Sequence, residues 1–226
     1  LTVTYNQSFN LDDAVKTGYT FVGWTYNALP FTSGTWSIDS DITIIASWTE
    51  WPIIIYNTNG GSSISNQAYA PGSSITEPIP PTKLGYTFGG WYSDIALTTP
   101  YTFTVMPSEN ITLYAAWNVV TYNITYENLL TTTHTNPLTY TVETPTITLT
   151  DPTARTGYTF AGWFTALSGG TEVTEIALGS TGNVTVYARW VPVVYTITYN
   201  NLQGSTTTNA LTYTVESSFS LTAPTA

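Results

Sequence analysis

A seven-residue pattern, Gly-Tyr-Thr-Phe-x-Gly-Trp, constrains the fold of this 226-residue chain most strongly, because it occurs three times. The copies begin at Gly18, Gly85 and Gly157, roughly seventy residues apart. This period exceeds the 20 to 50 residues that are typical of solenoid repeats. We therefore expect each unit to close a hydrophobic core of its own, like beads on a string.

Two further patterns recur with the same period. A strand-like pattern that ends in Trp occupies 42–48, 111–117 and 184–190, and a shorter one occupies 53–57, 123–127 and 196–200. We expect the shorter pattern to open each unit and the longer one to close it. Residues 1–5 match 138–142 and 211–215, which we interpret as an inner strand of the unit.

These patterns divide the chain into a tandem array of small domains. We place a partial first repeat at 1–49, complete second and third repeats at 50–118 and 119–191, and a partial fourth repeat at 192–226. Because both ends of the sequence fall within repeats, we expect it to be part of a longer array. The links Thr49–Pro52 and Val191–Val194 are short and contain proline, which favours restricted hinges.

The composition favours strands and excludes several kinds of partner. Only 8% of residues are charged and 15% are aromatic, and residues that suit half-buried strands are abundant. The formal charge of −10 opposes attraction to nucleic acid or to anionic lipid. We expect no contact of this segment with nucleic acid or membrane. The absence of cysteine excludes disulfides and thiolate chemistry.

Alternation along the closing pattern places every second side chain on one face of a strand. Ala46, Ala115 and Ala188 occupy the same position of that face, where a small residue makes room for a ring on a neighbouring strand. In the Gly-Tyr-Thr-Phe pattern the Tyr and Phe share a face. The glycine before the tryptophan can kink the strand so that the indole turns toward that face.

Each unit therefore contains a recurring set of aromatic rings, which we interpret as its structural core. An exposed aromatic platform for sugars is the alternative interpretation of the same rings. So small a domain needs the apolar area that these rings bury. The predicted core rings are Tyr19, Phe21, Trp24, Trp48, Tyr86, Phe88, Trp91, Trp117, Tyr158, Phe160, Trp163 and Trp190.

Three of the four basic residues, Lys16, Lys83 and Arg155, stand two positions before the motif glycine. A cationic side chain laid over a Tyr or Trp ring explains that placement without any ligand.

A polar residue just before the closing strand recurs as Asp41, Asn110 and Asn183. A turn-capping side chain accounts for all three, whereas a calcium ligand would not readily be exchanged for Asn. We predict no metal site here.

Catalytic patterns are missing from the sequence. The sole histidine, His134, lies in a Thr-rich segment whose counterpart in the fourth repeat has no histidine, and we interpret it as a solvated loop residue. The sequence contains no phosphate-binding loop, no zinc-binding helix motif and no nucleophile elbow. We predict no catalytic residue, no cofactor and no enzyme activity. Several carboxylates do not recur by position and so do not form a paired glycosidase site: Asp12, Asp13, Asp94 and Asp151.

The run Lys83–Trp91 followed by Ile111–Trp117 resembles the Listeria-Bacteroides repeat family, which includes the B-repeat of internalin-type proteins. The resemblance covers nearly the whole chain. It implies a mainly β, β-grasp-like small α+β domain strung in tandem on secreted or wall-anchored bacterial surface proteins, often adhesins. The family has no catalytic residues to carry over.

The leading hypothesis is a structural stalk or fibre segment of a bacterial cell-surface protein, with a role in spacing or adhesion. Its partners would be neighbouring repeats, or further copies if exposed strand edges assemble into a filament. The alternative is a carbohydrate-binding adhesin module that uses the non-recurring rings Trp36, Trp51 and Tyr92 on a host or environmental glycan or protein. An ice-binding surface of aligned threonines is a third, weaker interpretation.

Overall fold

The computed structural model describes residues 2–225, and within that range it contains strands, turns and loops but no helix. The mainly β prediction is confirmed, but residues 2–225 contain no helix of the expected α+β unit, and the β-grasp relationship stays a prediction. The chain divides into two compact units, residues 1–118 and 119–226, which are described separately.

The unit 1–118 contains the first two repeats. The strands of the first repeat are β1 (Ser8–Phe9), β2 (Tyr19–Tyr26), β3 (Leu29–Phe31), β4 (Gly34–Thr35) and β5 (Ile45–Glu50). The strands of the second repeat are β6 (Ile53–Asn57), β7 (Gln67–Ala68), β8 (Tyr86–Tyr92) and β9 (Ile111–Val119). They form a two-stranded sheet β1-β4, a three-stranded sheet β3-β2-β5 and a four-stranded sheet β7-β6-β9-β8.

The unit 119–226 contains the third and fourth repeats. The strands of the third repeat are β10 (Tyr122–Glu127), β11 (Thr139–Tyr140), β12 (Ile147–Thr148), β13 (Tyr158–Phe164), β14 (Glu175–Ile176) and β15 (Val184–Pro192). The strands of the fourth repeat are β16 (Tyr195–Thr196) and β17 (Thr212–Tyr213). The main sheet has the order β11-β10-β15-β13, which matches β7-β6-β9-β8.

In each complete repeat the opening strand and the closing strand are parallel neighbours. Ile54 of β6 pairs with Ile111 of β9, and Ile124 of β10 pairs with Val184 of β15. Two parallel strands need a long crossover connection, and the residues between the opening and closing strands supply it. The inner strand, β7 or β11, pairs antiparallel with the free side of the opening strand.

Each complete repeat has a closed core, as alternation along its two central strands dictates. In the second repeat Ile54 and Leu113 are 0% exposed, and Ile75 and Met106 close the core from the loops. In the third repeat Val186 takes the place of Leu113 and is also 0% exposed. No residue in 2–49 or 192–225 is fully buried, and neither range contains both an opening and a closing strand.

The first repeat differs from the sequence prediction in two places. Its closing strand begins at Ile45 and not at residue 42, whereas those of the complete repeats begin at Ile111 and Val184 as predicted. Residues 2–5 form no strand, although the matching β11 and β17 are strands. The physical reason is the same for both: these segments take their ladder hydrogen bonds from an opening strand, and residues 2–49 do not include one.

Candidate functional site

The Gly-Tyr-Thr-Phe-x-Gly-Trp motif forms a strand with a β-bulge just before its tryptophan. In the third repeat Phe160 pairs with Trp190, but Gly162 pairs with Arg189, so one extra residue is inserted between them. The same shift lies between Phe21 and Gly23 in the first repeat. The motif glycine before the tryptophan has a left-handed φ, 109° at Gly90 and 119° at Gly162, which favours glycine.

The bulge brings the two tryptophans of a repeat onto the same phenylalanine. Phe160 lies edge-on against Trp163 and Trp190, with both centroid distances at 5.3 Å. Phe88 contacts Trp91 at 5.4 Å and Trp117 at 5.7 Å in the same way. The first repeat repeats the arrangement around Phe21. Edge-to-face pairs of this kind stabilise a core beyond the area they bury.

Burial of the core rings is uneven. Trp91 and Trp163 are 2% exposed and belong to the cores of their repeats. Four of the other rings are half-buried and pack against these cores: Phe88, Trp117, Phe160 and Trp190. The rest are also half-buried: Tyr19, Phe21, Trp24, Trp48, Tyr86 and Tyr158. The small residue of the closing strand pairs with the tryptophan of the motif, since Ala188 pairs with Trp163 and Ala46 pairs with Trp24.

The three motif cations lie over the rings of their own repeat, as the sequence predicted. Lys83 Nζ is 4.4 Å from the ring centroid of Tyr86 and 5.8 Å from that of Trp117. Arg155 Cζ is 3.5 Å from the centroid of Tyr158, and Lys16 Nζ is 3.5 Å from that of Tyr19. These cations therefore cover the exposed rim of the ring cluster.

The recurring Asn before the closing strand joins that strand to the opening strand. Asn110 Oδ1 accepts a hydrogen bond of 2.9 Å from the backbone N–H of Ile53. Asn183 Oδ1 accepts one of 2.9 Å from Asn123 N–H. The expectation of a local turn cap is thus corrected: the amide bonds a strand more than fifty residues earlier, because parallel pairing places the two strand starts side by side.

The other ends of these two strands are joined by side chains that sequence reasoning missed. Asn59 Nδ2 donates to Ala115 O at 2.7 Å, and Trp117 Nε1 donates to Thr58 O at 2.9 Å. We call the hydrogen bonds at both ends the strand clasp. An Asn shortly after the opening Tyr in successive repeats was the available signal, since Asn tolerates the positive φ of 48° at Asn59.

The third repeat has the same strand clasp. Asn128 Nδ2 donates to Ala188 O at 2.8 Å, and Trp190 Nε1 donates to Asn128 O at 3.1 Å. With Asn183, the third repeat has the same three kinds of bond as the second, except that the indole bonds the carbonyl of the clasp Asn itself and not that of the residue before it. The closing tryptophan therefore has two roles, as a ring of the aromatic cluster and as a donor to the opening strand.

The three rings considered for glycan contact lie in separate elements. Trp36 is half-buried, packs edge-on against Phe9 at 5.3 Å and donates its indole N–H to Ile38 O. Trp51 lies in the link between β5 and β6, and Tyr92 ends β8. Both are half-buried. Among residues 2–225 these three rings do not stack on one another.

His134 lies in a loop, as predicted, but it is half-buried against other rings and not freely solvated. Its ring lies 4.0 Å from that of Tyr126, centroid to centroid, and 6.1 Å from that of Trp163. The Thr-rich loop folds back over the core because Asn136 is buried and bonds both the backbone and the hydroxyl of Thr150. In the part of the chain that the structure describes, no three His, Asp or Glu side chains cluster as a metal site would require.

The opening-strand tyrosines are the groups whose protonation the fold alters most. Burial raises the pKa of Tyr56 and of Tyr126 to about 12. Tyr56 donates its hydroxyl to Gln67 Oε1 at 2.9 Å, and Tyr126 donates to Pro137 O at 3.0 Å. At physiological pH both hydroxyls are neutral hydrogen-bond donors, so their role is structural.

The links between repeats are fastened to the motif glycine of the preceding repeat. Trp51 N–H donates to Gly18 O and Val193 N–H donates to Gly157 O, both at 2.9 Å. The third and fourth repeats share a further contact, in which Tyr158 donates its hydroxyl to Glu216 Oε1 at 2.9 Å. This hydrogen bond raises the pKa of Tyr158.

The sequence profile of the Listeria-Bacteroides repeat domain matches residues 1–49, 53–116 and 122–189. The chain belongs to this repeat family. The matched segments contain the motif cations and the asparagines of the strand clasp, whereas the closing tryptophans Trp117 and Trp190 lie one residue beyond the second and third segments. A helix long and apolar enough to cross a membrane does not occur in residues 2–225.

Two kinds of relative share the repeats. A protein of Evansella cellulosilytica that bears the name Gly-rich membrane protein is 32% identical over 221 residues, which is 90% of this chain and 25% of that protein. Internalin H of Listeria monocytogenes is 41% identical over 124 residues, or 51% of this chain and 21% of its own length. The chain thus spans about a quarter of the length of the curated relatives it matches.

Proposed function

We propose that this chain is a spacer segment, a stalk built of Listeria-Bacteroides repeats that holds another part of a bacterial surface protein away from the cell. The repeats shared with Internalin H and with a membrane protein support a surface location. We infer a non-catalytic role, which the packing of the recurring motif rings into the repeat cores supports.

The observation that carries the proposal is the fastening of the links. Only Trp51 and Pro52 separate β5 from β6, and only Val193 and Val194 separate β15 from β16. In each link a backbone N–H bonds back to the motif glycine, so the link cannot swivel without losing that bond. Proline in or beside each link narrows its freedom further. A stalk needs such joints, because floppy joints would let the array coil up.

The experiment is a length series of arrays that contain increasing numbers of complete repeats. Small-angle scattering and electron microscopy would measure the end-to-end length of each array. We expect the length to grow in proportion to the repeat number. In a matched series, each two-residue link is replaced by a longer Gly/Ser linker. The end-to-end length of these arrays should grow as the square root of the repeat number. If the native series also followed the square root, the spacer proposal would be wrong.

A further inference from the structure

We propose that each complete repeat is a mechanical clamp that resists tension applied along the chain. The inference begins from the parallel pairing of the first and last strands. Force carried by a tandem array enters the third repeat at the start of β10 and leaves at the end of β15. These two strands are parallel and hydrogen-bonded to each other, so tension pulls them past one another along their length.

This direction of loading is the one that a strand ladder resists best. The β10–β15 register runs from Ile124 opposite Val184 to Glu127 opposite Tyr187, and tension loads all the bonds of the ladder at once. A force across the strands would break the same bonds one after another. The second repeat has the same register, from Ile54 opposite Ile111 to Asn57 opposite Tyr114.

The strand clasp strengthens the same pair of strands at both ends of the ladder. At the start Asn183 Oδ1 accepts from Asn123 N–H, and at the far end Trp190 Nε1 donates to Asn128 O. Asn128 Nδ2 adds a bond to Ala188 O. These side chains bridge only the two strands that tension separates, and their equivalents do so in the second repeat.

Core packing covers one face of the loaded ladder. Ile124, on the opening strand, is 4% exposed, and Val186 and Ala188, on the closing strand, are 0% exposed. Sliding of β10 along β15 would have to move these side chains out of close-packed positions before any ladder bond could be re-formed in a new register. The resistance of the repeat to tension therefore has three sources: the ladder hydrogen bonds, the strand clasp and the packed core.

The biological meaning of the clamp rests on the proposed stalk function, since a stalk transmits force between a cell and whatever its far end holds. The test does not rest on it. The length series reports joint stiffness without force, and the pulling experiment below reports resistance of one repeat without regard to joints. Either proposal can therefore fail while the other stands.

The experiment is single-molecule pulling of the full chain in two directions. The chain has no cysteine, so two introduced cysteines define the handles. Thr121→Cys with Val194→Cys loads the third repeat along its strands, because these residues flank β10 and β15. Thr121→Cys with Thr181→Cys places both handles at the same end of the two strands and peels them apart. All three positions are exposed.

We expect a several-fold higher unfolding force for the first pair of handles than for the second. With the first pair, each event should lengthen the chain by about 200 Å, the extension of roughly seventy unfolded residues. Equal forces in the two directions would overturn the clamp.

Two variants separate the clamp from general stability. Trp190→Phe removes a clasp bond, whereas Trp163→Phe removes an indole bond to Thr150 O that lies outside the clasp. Asn128→Gly, which keeps the positive φ, is a second clasp variant should Trp190→Phe fail to fold. For a similar loss of melting temperature, we expect the clasp variants to lower the force along the strands more than Trp163→Phe does. An equal loss of force in all three would overturn the role of the clasp.

Discussion

Asn110 and Ile53 are joined by a hydrogen bond of 2.9 Å although 57 positions separate them in the sequence. The amide oxygen of Asn110 accepts from the backbone N–H at the start of the opening strand. That N–H would otherwise stand unpaired beside the end of the parallel ladder, where a lost partner is costly. The contact ties the last strand of the second repeat to its first.

Replacement of Asn110 by Ala should lower the free energy of unfolding of the second repeat by about 1 kcal/mol, because an acceptor is lost. Asn110→Asp should cost less, since a carboxylate oxygen still accepts, and Asp stands at the equivalent position 41. Urea unfolding followed by tryptophan fluorescence would measure both. Equal losses for the two variants would contradict a role for the acceptor oxygen.

Gly90→Ala should destabilise the second repeat by about 1–3 kcal/mol, because an alanine there must adopt a φ in which only glycine is comfortable. A methyl group at Gly90 would meet no atom within 4 Å, so the cost reports backbone strain alone. Gly34→Ala is the matched control, since Gly34 also has open space but no positive φ. Thermal unfolding of both variants would show whether the cost is specific to the positive φ.

Removal of the charge of Lys83 should weaken the aromatic rim. Lys83→Met keeps an apolar stem but loses the ammonium group over Tyr86 and its bond of 3.1 Å to Asn59 O. We expect a loss of about 0.5–1 kcal/mol, and a larger loss for Lys83→Ala, which also uncovers the rings. Denaturant titration would measure the series. A Met variant as stable as the parent chain would show that only the stem matters.

Stability should fall as the pH rises from 10 to 12. In the unfolded chain a tyrosine loses its proton near the ordinary value of 10.0, whereas burial holds the pKa of Tyr56 and Tyr126 at about 12. The folded state then binds more protons than the unfolded state, so each unit of pH between these values costs stability. Below pH 10 both states are protonated and the contribution is fully present.

The double variant Tyr56→Phe, Tyr126→Phe should flatten this fall, even though its stability at neutral pH is lower because two hydroxyl hydrogen bonds are lost. Urea midpoints measured at intervals from pH 8 to 12 would give the slope. Between pH 8 and 9 the two chains should show parallel curves, which serves as the internal control. Parallel curves above pH 10 as well would contradict the assignment.

The tandem repetition, the β class and the pairing of rings with cations could all be predicted from the residues. These features depend on local patterns: alternation sets which face a side chain takes, and the spacing between Lys83 and Tyr86 is short enough for the two side chains to meet whatever the rest of the chain does. The bulge at Gly162 is local in the same sense. A single sequence with internal repeats displays such patterns several times, which separates them from chance.

Which strands are neighbours, and the contacts that depend on this pairing, could not be predicted before the fold was known. The Asn at 110 could serve a local turn or a distant strand, and the parallel pairing of β6 with β9 selected the distant strand. The contact of the His134 ring with Tyr126 likewise depends on how its loop folds back over the core. No local sequence pattern relates the two partners of such a contact. They meet only because the core brings their segments together, so the contact exists only in the folded repeat.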